Sequence, residues 1–157
     1  MKRNASSSLT FDEALERATR LCAGSEHCAW DIRHKLRQWG VDKADADTII
    51  DKLYDGNYID DERFARAYSI DRLRFSHWGR IKITAMLRGM GLPDSAINYG
   101  LVQIDQHEYR EVMEHVIAQK DKTLAENDPY IRRMKLMRFA ASRGFELSEI
   151  HIFLPED

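Results

Sequence analysis

The sequence is poor in the residues that cross-link, bend or break a polypeptide chain. Its 157 residues include two cysteines, three prolines and eight glycines. Cys22 and Cys28 do not have the spacing of a zinc site, and no second pair of cysteine or histidine residues completes one. We therefore expect two reduced thiols buried in helices, and no bound metal.

Long apolar runs are also missing. No segment approaches the roughly 18 apolar residues that a membrane-spanning helix requires. The basic start at residues 1–3 is followed by asparagine, alanine and serines instead of the apolar segment of a signal peptide. Hydrophobic residues make up 43% and charged residues 32%, a balance typical of globular domains with a large hydrated surface. We expect a cytoplasmic protein that does not contact membranes.

Motifs of catalysis and cofactor binding are absent from the sequence as well. There is no G-x-x-x-x-G-K-[ST] phosphate loop, no H-E-x-x-H motif, and no serine or cysteine in the context of a nucleophile elbow. One helix segment could hold a metal patch, but an exposed polar face is the favoured interpretation of its residues His107, Glu108, Glu111, Glu114 and His115. We predict no catalytic residues and no cofactor, and an enzyme is the least supported class of function.

Helical periodicity dominates what is present. Apolar residues recur at spacings of three and four, whereas alternating apolar and polar runs are almost absent. Residues 1–9 lack this pattern and are expected to form a flexible N-terminal tail. Side chains that can accept from the first N–H groups of a helix indicate where helices begin. Such caps are predicted at Thr10 (a capping box with Glu13), Ser25, Asp60 (flanked by a hydrophobic staple of Ile59 before it and Phe64 after it) and Asp128 (before Pro129).

Three glycines reveal an internal repeat. Gly40, Gly91 and Gly144 each follow a helical run and are predicted to form left-handed C-terminal caps. The same positions around each glycine are apolar in all three segments. They lie four and eight residues before the glycine, and six and ten residues after it. The pattern predicts an all-α fold of three tandem three-helix repeats at residues 10–55, 56–104 and 105–157. Because small helical units bury little by themselves, we expect them to stack into an elongated, curved array with a binding function.

Charge is unevenly distributed along a chain whose net charge is −2. Residues 41–62 contain eight acidic residues and two lysines, whereas residues 63–91 contain seven basic residues against Asp71 alone. Residues 130–143 contain five basic and no acidic residues. Such clusters are typical of surfaces that meet an acidic partner or nucleic acid. The alternative interpretation is a set of solvated helix faces, with some arginines paired internally to the acids of residues 41–62.

Two segments go beyond generic helices. The run from Tyr58 to Tyr68, Y-I-D-D-E-R-F-A-R-A-Y, resembles the signature of the RecX family, and the block from Gly79 to Leu92 is similar to a second conserved pattern of that family. The resemblance covers most of residues 10–100 and is weak in the third repeat. The sequence departs from the family pattern at Trp39 and at residues 76–78. The matching signature positions are Tyr58, Asp60, Asp61, Arg63, Phe64, Gly79, Arg80, Ile81 and Gly91.

The resemblance implies a regulator of the RecA recombinase that acts in homologous recombination, DNA repair and the SOS response. Members of the family are tandem three-helix repeats that bind along the RecA–DNA filament and generally inhibit its growth, ATP hydrolysis and strand exchange. We expect a monomer with weak affinity for single- or double-stranded DNA. The clusters suggest these partner-binding residues: Arg72, Arg74, Arg80, Lys82, Arg88, Arg132, Arg133, Lys135 and Arg138.

Two other functions remain open at this point. A direct DNA-binding protein is one, because three-helix units can contain helix-turn-helix geometry. Against it, the acidic segment at residues 41–62 would repel phosphate. The other is a helical-repeat scaffold for an unrelated partner.

Overall fold

The structure is a computed structural model and describes residues 8–156. The predicted tail at residues 1–9 therefore lies largely outside the described residues. Within the described range the chain forms α-helices and no β-strand, as the sequence predicted. The helices are α1 (Phe11–Gly24), α2 (Ala29–Gln38), α3 (Lys43–Asp55), α4 (Asp61–Ser76), α5 (Arg80–Gly89), α6 (Asp94–Val102), α7 (Gln106–Thr123), α8 (Pro129–Ser142) and α9 (Leu147–Ile150).

Three of the four predicted N-terminal caps are confirmed. Thr10 and Glu13 form a reciprocal capping box at α1. Asp60 accepts a hydrogen bond of 2.8 Å from the N–H of Arg63 at the start of α4. Asp128 accepts one of 3.0 Å in the first turn of α8, whose first residue is a proline. Each cap satisfies an N–H group that has no acceptor within its own helix.

The cap predicted at Ser25 is wrong. Its N–H donates to the carbonyl of Leu21, so Ser25 ends α1 instead of beginning α2. Cys28 precedes α2, and its N–H donates to the carboxylate of Asp31 at 3.3 Å. The acceptor at the start of α2 is therefore the carboxylate of Asp31, inside the helix. A serine before the helix does not predict it.

The three-helix repeat is confirmed by the backbone at its glycines. Gly40, Gly91 and Gly144 have φ angles of 76°, 79° and 92°, the left-handed conformation that glycine adopts without steric cost. Each ends the second helix of a repeat. The registered apolar positions before them are fully buried, namely Ile32, Leu36, Ile83, Leu87, Leu136 and Ala140. In the third repeat the last helix, α9, has shortened to four residues.

The chain divides into two compact units. The N-terminal unit runs to Phe64, and the C-terminal unit begins at Ala65, so the boundary falls inside α4. The core of the N-terminal unit includes Ala14, Ala18, Ile32, Leu36, Ile49 and Leu53 from α1, α2 and α3. In the C-terminal unit the largest fully buried side chains include Leu73, Ile83, Leu87, Tyr109, Met113 and Phe145. Among residues 8–156, no helix has both the length and the apolar composition needed to cross a membrane.

Candidate functional site

The first signature segment holds the chain in position at the start of α4. The guanidinium of Arg63 forms an ion pair with Glu26 at 2.5 Å and donates to the carbonyl oxygens of Asn57 and Tyr58, both at 3.2 Å. Asn57 itself has a left-handed φ of 59°. Arg63 therefore satisfies the carbonyls of a strained turn and attaches that turn to the segment after α1. These contacts are internal to the N-terminal unit.

The second signature segment brings two backbones into direct contact. Gly79 donates its N–H to the carbonyl of Arg143 at 2.8 Å, and Ile81 donates to the carbonyl of Gly144 at 3.0 Å. A Cβ atom on Gly79 would lie 2.3 Å from the carbonyl oxygen of Gly144, well inside any permitted contact. The start of α5 is thereby fixed to the end of α8, which joins the second repeat to the third within the C-terminal unit.

Arg80 and Tyr109 reinforce this junction. The Tyr109 hydroxyl accepts from the N–H of Arg80 at 3.1 Å and donates to the carboxylate of Glu146 at 3.0 Å. The Arg80 guanidinium lies 3.8 Å from the centre of the Tyr109 ring, 3.6 Å from Glu146, and donates to Gln106 at 2.6 Å. Burial raises the pKa of Tyr109 well above its ordinary value. Arg80 thus has an internal structural role, whatever else it contacts.

The four other predicted partner-binding residues of α4 and α5 divide into two groups. Arg74 forms two hydrogen bonds with Glu108, and this bonding lowers the pKa of the Glu108 carboxyl. Arg88 pairs with Asp94 at 3.1 Å. Arg72 and Lys82 instead contact aromatic rings, as described next. Two of the four charges are therefore compensated locally by acids outside the 41–62 segment.

Two cations contact the ring of Trp78. The guanidinium carbon of Arg72 is 5.3 Å from the centre of the Trp78 ring, and the ammonium of Lys82 is 4.6 Å from it. Neither cation forms an ion pair with an acid in the described part of the chain. Cation–π contact orients a charge without neutralising it, so both remain able to attract an anion.

The basic residues of α8 have similarly different roles. Arg132 pairs with Asp121 at 2.7 Å and donates to the carbonyls of Leu124 and Glu126, so it closes the loop between α7 and α8. Lys135 pairs with Glu126 at 2.9 Å and lowers the pKa of that carboxyl. Arg133 donates to the carbonyl of Pro155. Arg138 is exposed and forms no ion pair within residues 8–156.

The geometry separates the nine predicted partner-binding residues by role. Five are paired with carboxylates, namely Arg74, Arg80, Arg88, Arg132 and Lys135. Arg133 donates to a backbone carbonyl instead. The remaining three, Arg72, Lys82 and Arg138, form no ion pair with a described acid. All nine lie in the C-terminal unit. Their contact with a partner stays a prediction.

A pocket in the C-terminal unit was missed by sequence reasoning. Its volume is about 270 Å³, and it opens between α7, α8 and the turn that follows α4. Sequence analysis had singled out some of its residues separately, namely His115 on the polar face of α7, Arg143 in the basic run 130–143 and His77 in the departure from the family pattern, but not their proximity. The lining residues are His77, His115, Val116, Gln119, Lys120, Thr123, Phe139 and Arg143.

The histidine and acidic residues of α7 do not assemble into a metal site. His107 lies 3.0 Å from Glu111, and Glu108 is occupied by Arg74. Across the described residues, no group of three possible ligands is positioned to hold an ion. His107, Glu111, Glu114 and His115 are exposed, which agrees with the interpretation of a polar helix face.

Comparison with known protein families matches each repeat separately. Residues 14–53 match the model of the first three-helix domain of RecX, residues 60–101 match the second, and residues 108–154 match the third. Together these matches extend over most of the chain, including the third repeat, where the signature is weak.

Two curated relatives match over most of their length. The chain is 32% identical to regulatory protein RecX of Chlorobaculum tepidum, and the match covers 87% of this chain and 83% of the relative. It is 30% identical to regulatory protein RecX of Prosthecochloris aestuarii, over 92% and 93%.

Solved structures share the fold at lower identity. A crystal structure of regulatory protein RecX matches with a TM-score of 0.82 and 20% identity, covering 91% of this chain and 72% of the other. RecX from Lactobacillus salivarius matches with a TM-score of 0.77 and 17% identity, covering 91% and 93%. At these identities the likeness establishes the arrangement of helices.

Proposed function

Because this chain belongs to the RecX family of regulatory proteins, we propose that it binds the RecA–DNA filament and inhibits the recombinase. The inhibited steps are ATP hydrolysis, filament extension and strand exchange, and the chain itself catalyses no reaction. The match of all three repeats to the family is the observation that carries the proposal. Weak affinity for single- or double-stranded DNA belongs to the same proposal.

The tandem repeats support binding to a periodic partner. A filament presents identical subunits at a fixed spacing, and a chain of related three-helix repeats offers related surfaces in series. Several weak contacts made in series strengthen one another, because the first contact raises the effective concentration for the next. The fixed junction at Gly79 and Gly144 supports this arrangement, since it holds two repeats in one relative orientation.

The uncompensated cations are the proposed contacts. Arg72, Lys82 and Arg138 can pair with acidic side chains of the filament without first giving up an internal ion pair. A residue such as Arg132 would have to give up its bonds to Asp121 and two carbonyls. The lower cost of redirecting the uncompensated cations makes them the stronger candidates among the nine predicted residues.

Inhibition follows from unequal affinity for the states of the filament. A ligand shifts an equilibrium only by the difference in its affinity for the two states. We propose that the chain binds tightly to an arrangement of subunits that hydrolyses ATP slowly. Bound in the filament groove, it would also compete with the second DNA molecule that strand exchange requires.

The first experiment is a titration of this protein into a cognate RecA on single-stranded DNA, with ATP hydrolysis as the readout. We expect hydrolysis to fall at sub-stoichiometric amounts of the protein. No effect at excess would contradict the proposal and favour a scaffold or a direct DNA-binding protein.

Charge reversal tests the contacts. We expect R72E/K82E and R138E each to raise the half-inhibitory concentration by about tenfold or more, since about 1.4 kcal/mol of lost binding free energy corresponds to tenfold. The matched control is R20E/K52E, which reverses two exposed charges of the N-terminal unit. It should change the half-inhibitory concentration less than about twofold. Unchanged inhibition by both test variants, with their helical circular dichroism intact, would disprove the assignment of these residues.

A further inference from the structure

The pocket lined by His77, His115, Lys120, Phe139 and Arg143 has the composition of an anion site. We infer that it binds a backbone phosphate of single-stranded nucleic acid, independently of base sequence. The inference rests on the DNA affinity within the proposed function and assigns a site to that affinity.

The pocket concentrates positive charge that no acid compensates. The ammonium of Lys120 lies 4.9 Å from the centre of the Phe139 ring, and the guanidinium of Arg143 lies 5.3 Å from it. Neither forms an ion pair with any described acid, and no acidic residue lines the pocket. Elsewhere in the C-terminal unit, cations such as Arg74, Arg88 and Arg132 are held by carboxylates. A single bound anion would compensate both charges of the pocket.

Two imidazoles add further hydrogen-bonding groups to the pocket wall. His77 and His115 meet edge to face, with ring centres 5.6 Å apart. His77 adopts a left-handed φ of 55°, a conformation that is costly for a residue with a Cβ. The turn is stabilised by the N–H of Trp78, which donates to the carbonyl of Arg72 at 3.1 Å. This turn at the end of α4 holds His77 beside the pocket.

Neighbouring aromatic and basic side chains favour nucleic acid over an acidic peptide. Trp78 directly follows His77 and carries Arg72 and Lys82 against its ring. It is joined to the pocket through the hydrogen bond between Gly79 and the carbonyl of Arg143. Cationic grooves interleaved with aromatic rings bind single strands without sequence preference, because phosphates meet the charges and bases can stack on the rings. An acidic peptide needs the cations but not the aromatic rings.

The size of the pocket limits what it can enclose. Its volume of about 270 Å³ lies below the roughly 300–1,000 Å³ of typical small-molecule sites. A whole nucleotide would extend beyond it, whereas one phosphate group fits and the strand can continue over the neighbouring surface. The residues involved include His77 and Trp78, where this sequence departs from the family pattern.

The test measures DNA binding by this protein alone, without recombinase. A short fluorescein-labelled oligothymidylate is titrated at low salt, and fluorescence anisotropy gives its affinity. We expect K120Q/R143Q to weaken binding about tenfold and to reduce the slope of log affinity against log salt by about 0.7, the contribution of one phosphate contact to single-strand binding. The matched control R20Q/K52Q removes the same charge from the N-terminal unit and should change affinity less than about twofold.

A second measurement locates the bound group. In ¹H–¹⁵N spectra that detect the imidazoles, we expect the oligothymidylate to shift the resonances of His77 and His115 in the unaltered protein. It should not shift them in K120Q/R143Q. Inorganic phosphate and oligoglutamate are titrated in parallel as a free anion and an acidic peptide.

The outcomes separate the inference from the proposed function. Equal DNA affinity of K120Q/R143Q and the unaltered protein would overturn the pocket assignment and leave the DNA affinity standing. No DNA binding by the unaltered protein would overturn both. Imidazole shifts caused by inorganic phosphate but not by oligothymidylate would assign the pocket to free anions. Equal shifts caused by oligoglutamate would assign it to an acidic peptide. Either result would overturn the assignment to a nucleic-acid strand.

Discussion

At the scale of single residues, two arginines six positions apart in α8 differ in their exposure and in their internal hydrogen bonds. Arg132 forms four hydrogen bonds, to the carboxylate and carbonyl of Asp121 and to the carbonyls of Leu124 and Glu126. Arg138 is exposed. Three of the acceptors of Arg132 are backbone oxygens, that of Asp121 in the last turn of α7 and those of Leu124 and Glu126 in the loop between α7 and α8. Arg132 is therefore part of the fold, although its sequence context is that of a binding cluster.

Substitution of the two arginines should separate these roles. We expect R132Q to lower the free energy of unfolding by about 2 kcal/mol, because hydrogen bonds to charged groups contribute about 1.5–3 kcal/mol each and part of this is recovered by water. We expect R138Q to change it by less than about 0.5 kcal/mol, as for most surface substitutions. Urea denaturation followed by circular dichroism measures both. Equal effects of the two variants would refute the distinction.

At the scale of elements, glycines at the ends of α5 serve different purposes. Gly79, just before the helix, has an ordinary φ of −82° but lies against the backbone of Gly144. Gly89, the last residue of the helix, has no atom within 4 Å of the place where a Cβ would lie. Gly91, beyond the helix, has a positive φ and open space around it. Only Gly79 is required by contact between elements.

Alanine at Gly79 and Gly89 therefore should have opposite effects. We expect G79A to lower the free energy of unfolding by about 1–3 kcal/mol, the usual cost of overpacking, because α5 must move away from the end of α8. We expect G89A to leave stability unchanged or raise it by up to about 1 kcal/mol, the difference in helix propensity. Chemical denaturation gives the free energy of unfolding of both variants. A G79A variant as stable as the unaltered protein would show that the backbone contact is not needed.

At the scale of the whole molecule, both compact units contain groups that resist ionisation. Burial raises the pKa of Cys22 and Cys28 in the N-terminal unit to about 11, from an ordinary value of 9.0. Burial also raises the pKa of Tyr109 in the C-terminal unit. In the unfolded chain these groups lose their protons at lower pH. Between the two pKa values the folded state binds more protons, so the stability that these groups contribute is lost as pH rises.

Alkaline titration of stability tests this linkage. We expect the free energy of unfolding to decline as pH rises from about 9 towards about 11, the window between the unfolded and folded pKa values of the thiols. The C22A/C28A variant should decline less steeply, and Tyr109 accounts for part of what remains. Urea denaturation at a series of pH values gives both slopes. Identical slopes would mean that the thiols are not linked to folding in this way.

Much of the fold could be predicted because it depends on neighbours in the sequence. The repeat was visible at Gly40, Gly91 and Gly144, since a helix that ends in a left-handed residue needs glycine there. Asp60 and Asp128 were recognisable as caps because the acceptor and its N–H group are three residues apart. The cap predicted at Ser25 was wrong because serine is common at both ends of helices. The acceptor at the start of α2 is the carboxylate of Asp31, which the local pattern did not single out.

The sequence by itself determined the class of fold, the number of repeats and the family, because helix periodicity, caps and signature are patterns of adjacent residues. Only the tertiary structure decided which cations are compensated and where the uncompensated ones gather. The acid that pairs with Arg74 lies 34 residues along the chain, and the one that pairs with Arg132 lies 11 residues away. Such pairs form only after the helices have packed, so a run of basic residues in the sequence cannot reveal which charges are left for a partner.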